Sequence, residues 1–103
     1  MHARVNYRQV PPGKMDEAIR SYRDQTLPTV RGRKGFKAGY VLTNRRTGKL
    51  IAIALWDTEA DMRASQPPNY ADAVAGPATR EEYEVSLRAR PSPRRTAAPR
   101  RGR

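Results

Sequence analysis

The sequence predicts an α+β domain in which a four-stranded antiparallel sheet carries its helices on one face. Three observations predict it. HARVNYRQV near the start and EEYEVSL near position 85 alternate apolar and polar residues with the period of a half-buried strand. Segments following the first and third strands change to helical spacing. At the centre, two strand-like runs are joined by NRRTG, a connection suited to an antiparallel hairpin.

The first strand sets Ala3, Val5 and Tyr7 against Arg4, Asn6 and Arg8, and stops at Pro11-Pro12-Gly13. From Lys14 the period changes. Met15, Ala18, Ile19, Tyr22 and Thr26 fall on one helical face while Asp16, Glu17, Arg20, Arg23 and Asp24 point away. Pro28 is expected to kink or end this helix, and VRGRKG to form a basic loop.

The second strand, 35–43, places Phe36, Ala38, Tyr40 and Leu42 on one side. Pairing Thr43 with Lys49 across NRRTG sets Leu42 against Leu50, Tyr40 against Ala52, Ala38 against Ala54 and Phe36 against Trp56. Asp57 or Thr58 then caps a helix over TEADMRAS, whose early acids suit the helix dipole. A short helical piece over 70–75 ends at Gly76-Pro77, and the last strand is expected over 82–88 with Tyr83, Val85 and Leu87 on one face.

The order β-α-β-β-α-β is that of the ferredoxin-like, split βαβ arrangement. In a one-sided sheet each strand should alternate, yet Leu50 to Trp56 is apolar at every position. That strand needs a cover on its second face, which two short helices cannot supply. A second copy of the sheet, packed around a two-fold axis, can, so the expected assembly is a homodimer.

Composition excludes several classes. There are no cysteines and one histidine, His2, so neither a disulfide framework nor a thiolate or histidine metal cluster is available. The longest apolar run is too short to span a bilayer, and the expected localisation is cytoplasmic, with no membrane partner. The net charge of +11 is concentrated at one end: of 21 basic residues, the last seven are arginines from Arg88 onward, where no acid occurs. Residues 1–88 are therefore read as the domain and 89–103 as a disordered Arg/Pro-rich tail, capable at most of weak, salt-sensitive binding to nucleic acid.

PPGKMDEAIRSYRD, GFKAGYVLTNRRTGKLIAIALW, the acidic DTEADMRAS after the tryptophan and EEYEVSL together resemble the antibiotic-biosynthesis-monooxygenase (ABM)-like domains of the dimeric α/β-barrel superfamily, over roughly residues 3–88. The resemblance implies a homodimer with a pocket between each sheet and its helices. It also implies oxygenation of an aromatic or quinol-like compound with no cofactor, neither metal nor flavin. Oxygenases of the family match at Trp56 but commonly carry asparagine where this chain has Ala52. Heme-degrading relatives match at Asn6 and Trp56 but place a histidine ligand where this chain has Gln66, and an amide is a poor substitute for imidazole.

On this reading Trp56 and Asn6 are the candidate catalytic residues. Tyr7, Ile19, Tyr22, Phe36, Tyr40, Ala52, Ala54, Met62 and Tyr70 are candidates for the ligand pocket. Aromatic side chains beside alanines leave concave room of the kind aromatic ligands occupy. Two other functions compete: a non-catalytic or stress-related barrel that binds a small ligand, and a basic ferredoxin-like module that binds nucleic acid. The last would expose aromatics on central strands, whereas Phe36, Tyr40 and Trp56, set among alanines and Leu42, are expected to be buried.

Overall fold

The computed structural model of the protein describes residues 1–66 and 69–92; most of the expected tail, 93–103, lies outside the described residues. Strands β1 (His2–Gln9), β2 (Phe36–Asn44), β3 (Lys49–Trp56) and β4 (Thr79–Glu84) form one antiparallel sheet in the order β2-β3-β1-β4. Helices α1 (Met15–Ser21), α2 (Leu27–Val30), α3 (Glu59–Ala64) and α4 (Asp72–Ala75) pack on one face of it. This is the ferredoxin-like arrangement.

Pro28 does not end the first helix. Between α1 and α2 the chain widens into a π-helical turn, Tyr22–Thr26, in which the Leu27 N–H donates to the Tyr22 carbonyl. A proline ring ordinarily collides with the carbonyl four residues back, and the widened turn just before Pro28 relieves that collision. The Thr29 hydroxyl donates to the Gln25 carbonyl at 2.7 Å, satisfying an acceptor in the same region. Thr58, not Asp57, caps α3: its hydroxyl accepts the Asp61 N–H at 3.0 Å.

The hairpin register differs by one residue from the expected pairing. Asn44, not Thr43, pairs with Lys49, so Val41 lies opposite Ala52 and Tyr40 opposite Ile53. The cause is in the turn. The Asn44 side chain accepts the N–H groups of Arg46 and Thr47 at 3.1 and 3.2 Å, and Gly48, at φ 78°, donates to the Asn44 carbonyl at 2.8 Å. A bulge between Phe36 and Ala38 then restores Phe36 opposite Trp56. A one-residue slip exchanges the faces, so Tyr40, expected buried, is 53% exposed and Leu42 is exposed beside it.

β4 begins three residues earlier than the alternation of 82–88 suggests. Its register on β1 pairs Arg4 with Glu82 and Asn6 with Arg80. Past Glu84 it outruns the N-terminal end of β1, where the Val85 N–H donates to the Met1 carbonyl, and Leu87 stands in solvent.

The core on the helical face is split. One cluster joins Met15, Ala18 and Tyr22 to Leu50, Ala52 and Ala71; the other joins Val30, Trp56 and Met62, with Leu27, Phe36 and Ala54 against it. The opposite face carries Ala3, Val5 and Tyr7 beside Ile51, Ile53 and Leu55, with Tyr40, Leu42 and Tyr83 exposed around them. No helix among the described residues covers it. β3 is thus apolar on both sides because one side meets the helices and the other forms an open apolar sheet face.

Candidate ligand-binding site

Small residues at mid-sheet keep the two core clusters apart. Ala52 and Ala54 point from β3 toward the helices, and Gly39 on β2 lies opposite Ala54, with Leu27 so close above it that an added Cβ would stand 3.0 Å from the Leu27 side chain. Between the clusters lies a partly open cavity of about 60 Å³. Its apolar wall is formed by Ala52, Ala54, Val41, Leu27 and Val30, and the π-helical turn contributes Tyr22 and Thr26.

Trp56 closes one end. Its ring is 1% exposed and meets Phe36 edge to face, with centroids 5.4 Å apart and planes at 76°. The indole N–H is buried and has no hydrogen-bond partner among the described residues. A buried unpaired donor costs about 1–3 kcal/mol, so the fold gives up stability at this N–H.

The other end is polar and basic. The side of β1 that faces the helices is Arg4, Asn6 and Arg8, registered with Ala54, Ala52 and Leu50. Arg4 and Arg8 are each only 5% exposed. Arg4 donates to the Glu82 carboxylate at 3.0 and 3.2 Å and to the Ser65 carbonyl. Arg8 donates to the Tyr22 hydroxyl at 2.8 Å, to Asp72 at 2.6 Å and to the Gly76 carbonyl. Burial pulls the Arg8 guanidinium down, but Tyr22 and Asp72 together outweigh it and hold it above its ordinary pKa. Arg80, on the edge strand, donates to the side-chain oxygens of Asn6 and Asn69, each at 3.3 Å.

Of the residues singled out from the sequence, Trp56, Asn6, Tyr22, Ala52, Ala54 and Tyr70 line this cavity. Tyr40 borders it although its register places it on the sheet's other face. Four stand apart from the lining. Tyr7 is on the open face opposite Ile51, Ile19 packs beside the first cluster, Phe36 lies behind Trp56, and Met62 is buried in the second cluster. Sequence reasoning missed Arg4, Arg8, Asn69 and Arg80. The available signal was the polar alternation of a strand that this topology makes central, with Glu82 and Asp72 as its acidic partners.

No protein-family model matches the chain. No curated protein matches it either. Solved structures do. The heme-degrading protein MhuD of Mycobacterium tuberculosis, with two hemes bound, superposes with a TM-score of 0.68 at 19% identity, covering 86% of this chain and 99% of that one. SnoaB of Streptomyces nogalater, a cofactor-independent oxygenase, does so at 0.69 and 18%, covering 84% and 94%. A Bacillus cereus protein described as a candidate antibiotic biosynthesis monooxygenase reaches 0.71 at 13%, covering 89% and 97%. At these identities the likeness establishes an ABM-like fold.

The donor set gives heme iron no imidazole, thiolate or thioether: among the described residues the lining has no histidine, cysteine or methionine, and of its tyrosines, Tyr22, Tyr40 and Tyr70, the Tyr22 hydroxyl is engaged by Arg8. Gln66 is exposed and its amide donates to the Arg63 carbonyl at 3.4 Å. No three His, Cys, Asp or Glu side chains among the described residues are grouped to hold a metal ion, and no described helix is long and apolar enough to cross a membrane.

Proposed function

The ABM-like fold supports small-molecule binding, and we propose that this protein takes an aromatic, quinol-like molecule in the cavity between its sheet and helices and oxygenates it without a cofactor. One observation carries the reading: the indole N–H of Trp56, without a hydrogen-bond partner among the described residues, is buried in a residue that lines a cavity with an apolar wall. Such a donor is suited to an oxygen anion, and Asn6 supplies an amide at the same cavity.

A quinol-like substrate in its keto form, with an enolisable ring CH2 as in an anthrone, loses a proton to become an enolate, which reacts with molecular oxygen at carbon. A ring CH2 then becomes C=O, one oxygen atom is retained and the other leaves as water, so each turnover consumes one O2 and needs no further reductant. Trp56 holds the enolate oxygen, and the partly open mouth lets the proton leave to solvent.

One observation favours binding without turnover: among the described residues the lining has no histidine or carboxylate to act as base. An oxygen electrode separates the two readings. With anthrone as probe, catalysis predicts uptake above the buffer rate at one O2 per anthraquinone formed. Quenching of Trp56 fluorescence with no uptake leaves the binding module, and neither response removes the cavity as a site.

The open apolar face supports a second copy of the chain as partner, sheet against sheet. A nucleic-acid reader is disfavoured because Arg4 and Arg8 lie on the helical side, while on the open face Tyr7 lies opposite Ile51 and Tyr83 donates to the Glu81 carboxylate.

A further inference from the structure

We propose that the ligand of this cavity carries a carboxylate, and that Arg80, with Asn6 and Asn69, is the seat that binds it. The inference rests on the reading of the cavity as a binding site and adds the ligand's charge and orientation. Three arginines line the cavity and no aspartate or glutamate among the described residues does so. Two of the three are already matched: Arg4 by Glu82 at 3.0 Å and Arg8 by Asp72 at 2.6 Å. Arg80 has no carboxylate within 4.0 Å among the described residues, and its contacts are two neutral amide oxygens.

The chemistry of that contact matters. A guanidinium only donates, so both amides must present oxygen to Arg80, and each keeps its NH2 as a further donor. Arg80 uses two of its five N–H groups. The result is a donor-rich cluster at the cavity's exposed rim, held by neutral partners and with no carboxylate set against its charge among the described residues. A planar fork of this kind matches a carboxylate through two parallel hydrogen bonds.

Register supplies the orientation. Arg80, Asn6, Ala52 and Val41 form one row across the sheet, basic at β4 and apolar at β2. With strands about 4.8 Å apart, Arg80 and Ala52 are separated by about 10 Å at the backbone. An aryl acid of one or two rings spans that distance, its rings over Ala52 and Ala54 and its carboxylate toward Arg80.

The test compares 2-naphthoate with its neutral isostere 2-naphthamide by titration calorimetry on the full chain. The expected result is a preference of about tenfold for the acid, falling to about one in Arg80→Gln with the amide's affinity unchanged, and only partly kept in Arg80→Lys, which retains the charge but not the fork. Arg46→Gln, which removes an exposed turn charge, should leave the preference intact. Equal binding of acid and amide to the wild type, or a preference that survives Arg80→Gln, overturns the proposal while leaving the cavity as a site. Loss of the preference in Arg46→Gln also overturns it, since diffuse surface charge would then be the cause. Failure of both compounds to bind takes the cavity reading down with it.

Discussion

Arg80 on β4 stands directly opposite Asn6 on β1 and donates to its side-chain oxygen at 3.3 Å, although the two are 74 residues apart in sequence. The pairing puts a charged group of the last strand and an amide of the first on the helical side of the sheet. Ala52, registered with Asn6 from the other flank, then provides the space in front of them. Cavity and polar rim therefore arise from one transverse row of the sheet.

The space over Ala52 is testable by filling it. Ala52→Leu adds carbons toward a cavity of about 60 Å³ from the edge of the first core cluster, so its cost should stay at or below the low end of the roughly 1–3 kcal/mol of overpacking. Urea unfolding is expected to change by less than about 1 kcal/mol while naphthoate affinity falls at least about tenfold. A large stability loss with binding intact would show that the cavity is not the ligand's place.

Gly35 makes the entry to β2 possible. It sits at φ 82°, and a Cβ there would stand 2.2 Å from an Asp61 carboxylate oxygen and 2.6 Å from the Asp61 Cβ. Gly13 has φ 81° with nothing within 4 Å. Gly13→Ala should cost about 1 kcal/mol for backbone conformation alone, and Gly35→Ala at least about 1 kcal/mol more. Equal costs in denaturant unfolding would mean that Asp61 moves aside freely.

Strand β3, its hairpin, the Thr58 cap region and the order of elements were legible because each depends on local pattern. The apolar run Leu50 to Trp56 spans β3 to its last residue. The face of β2 was not legible, because it depends on how Asn44 folds its side chain into the turn, and one residue of register exchanges Tyr40 for Val41 at the cavity. The basic end was hidden for a different reason. Arg4 and Arg8 read as solvent-facing until Glu82, Asp72 and two backbone carbonyls, all distant in sequence, are seen to satisfy them.

The open face of the sheet yields a prediction about assembly. Ile51 lies at its centre, registered with Tyr7 on one side and Leu42 on the other. The wild type should sediment as a dimer, and Ile51→Lys should shift it to the 11.6 kDa monomer with its circular dichroism retained. Sedimentation equilibrium finding only monomer for the wild type at micromolar concentration would remove the sheet-to-sheet partner.

Trp56→Phe separates a pocket residue from a core residue because the two roles predict different losses. The ring is buried and packs edge to face on Phe36, so a smaller aromatic should leave a small void and cost about 1–2 kcal/mol. Against that, the variant deletes an indole N–H that has no partner among the described residues, and removal of an unsatisfied buried donor returns about 1 kcal/mol. The net effect on unfolding should therefore be small. The effect on the ligand should not be. A donor aimed at a developing oxygen anion contributes roughly 3 kcal/mol in comparable sites, so oxygen uptake with anthrone should fall at least about a hundredfold, while a neutral aromatic that needs no donor should bind nearly as before. Thermal melts, calorimetry and the oxygen electrode on the same two proteins read all three quantities. Should stability drop by more than about 3 kcal/mol while uptake per folded molecule holds, Trp56 is packing alone and the oxygen anion must be held elsewhere.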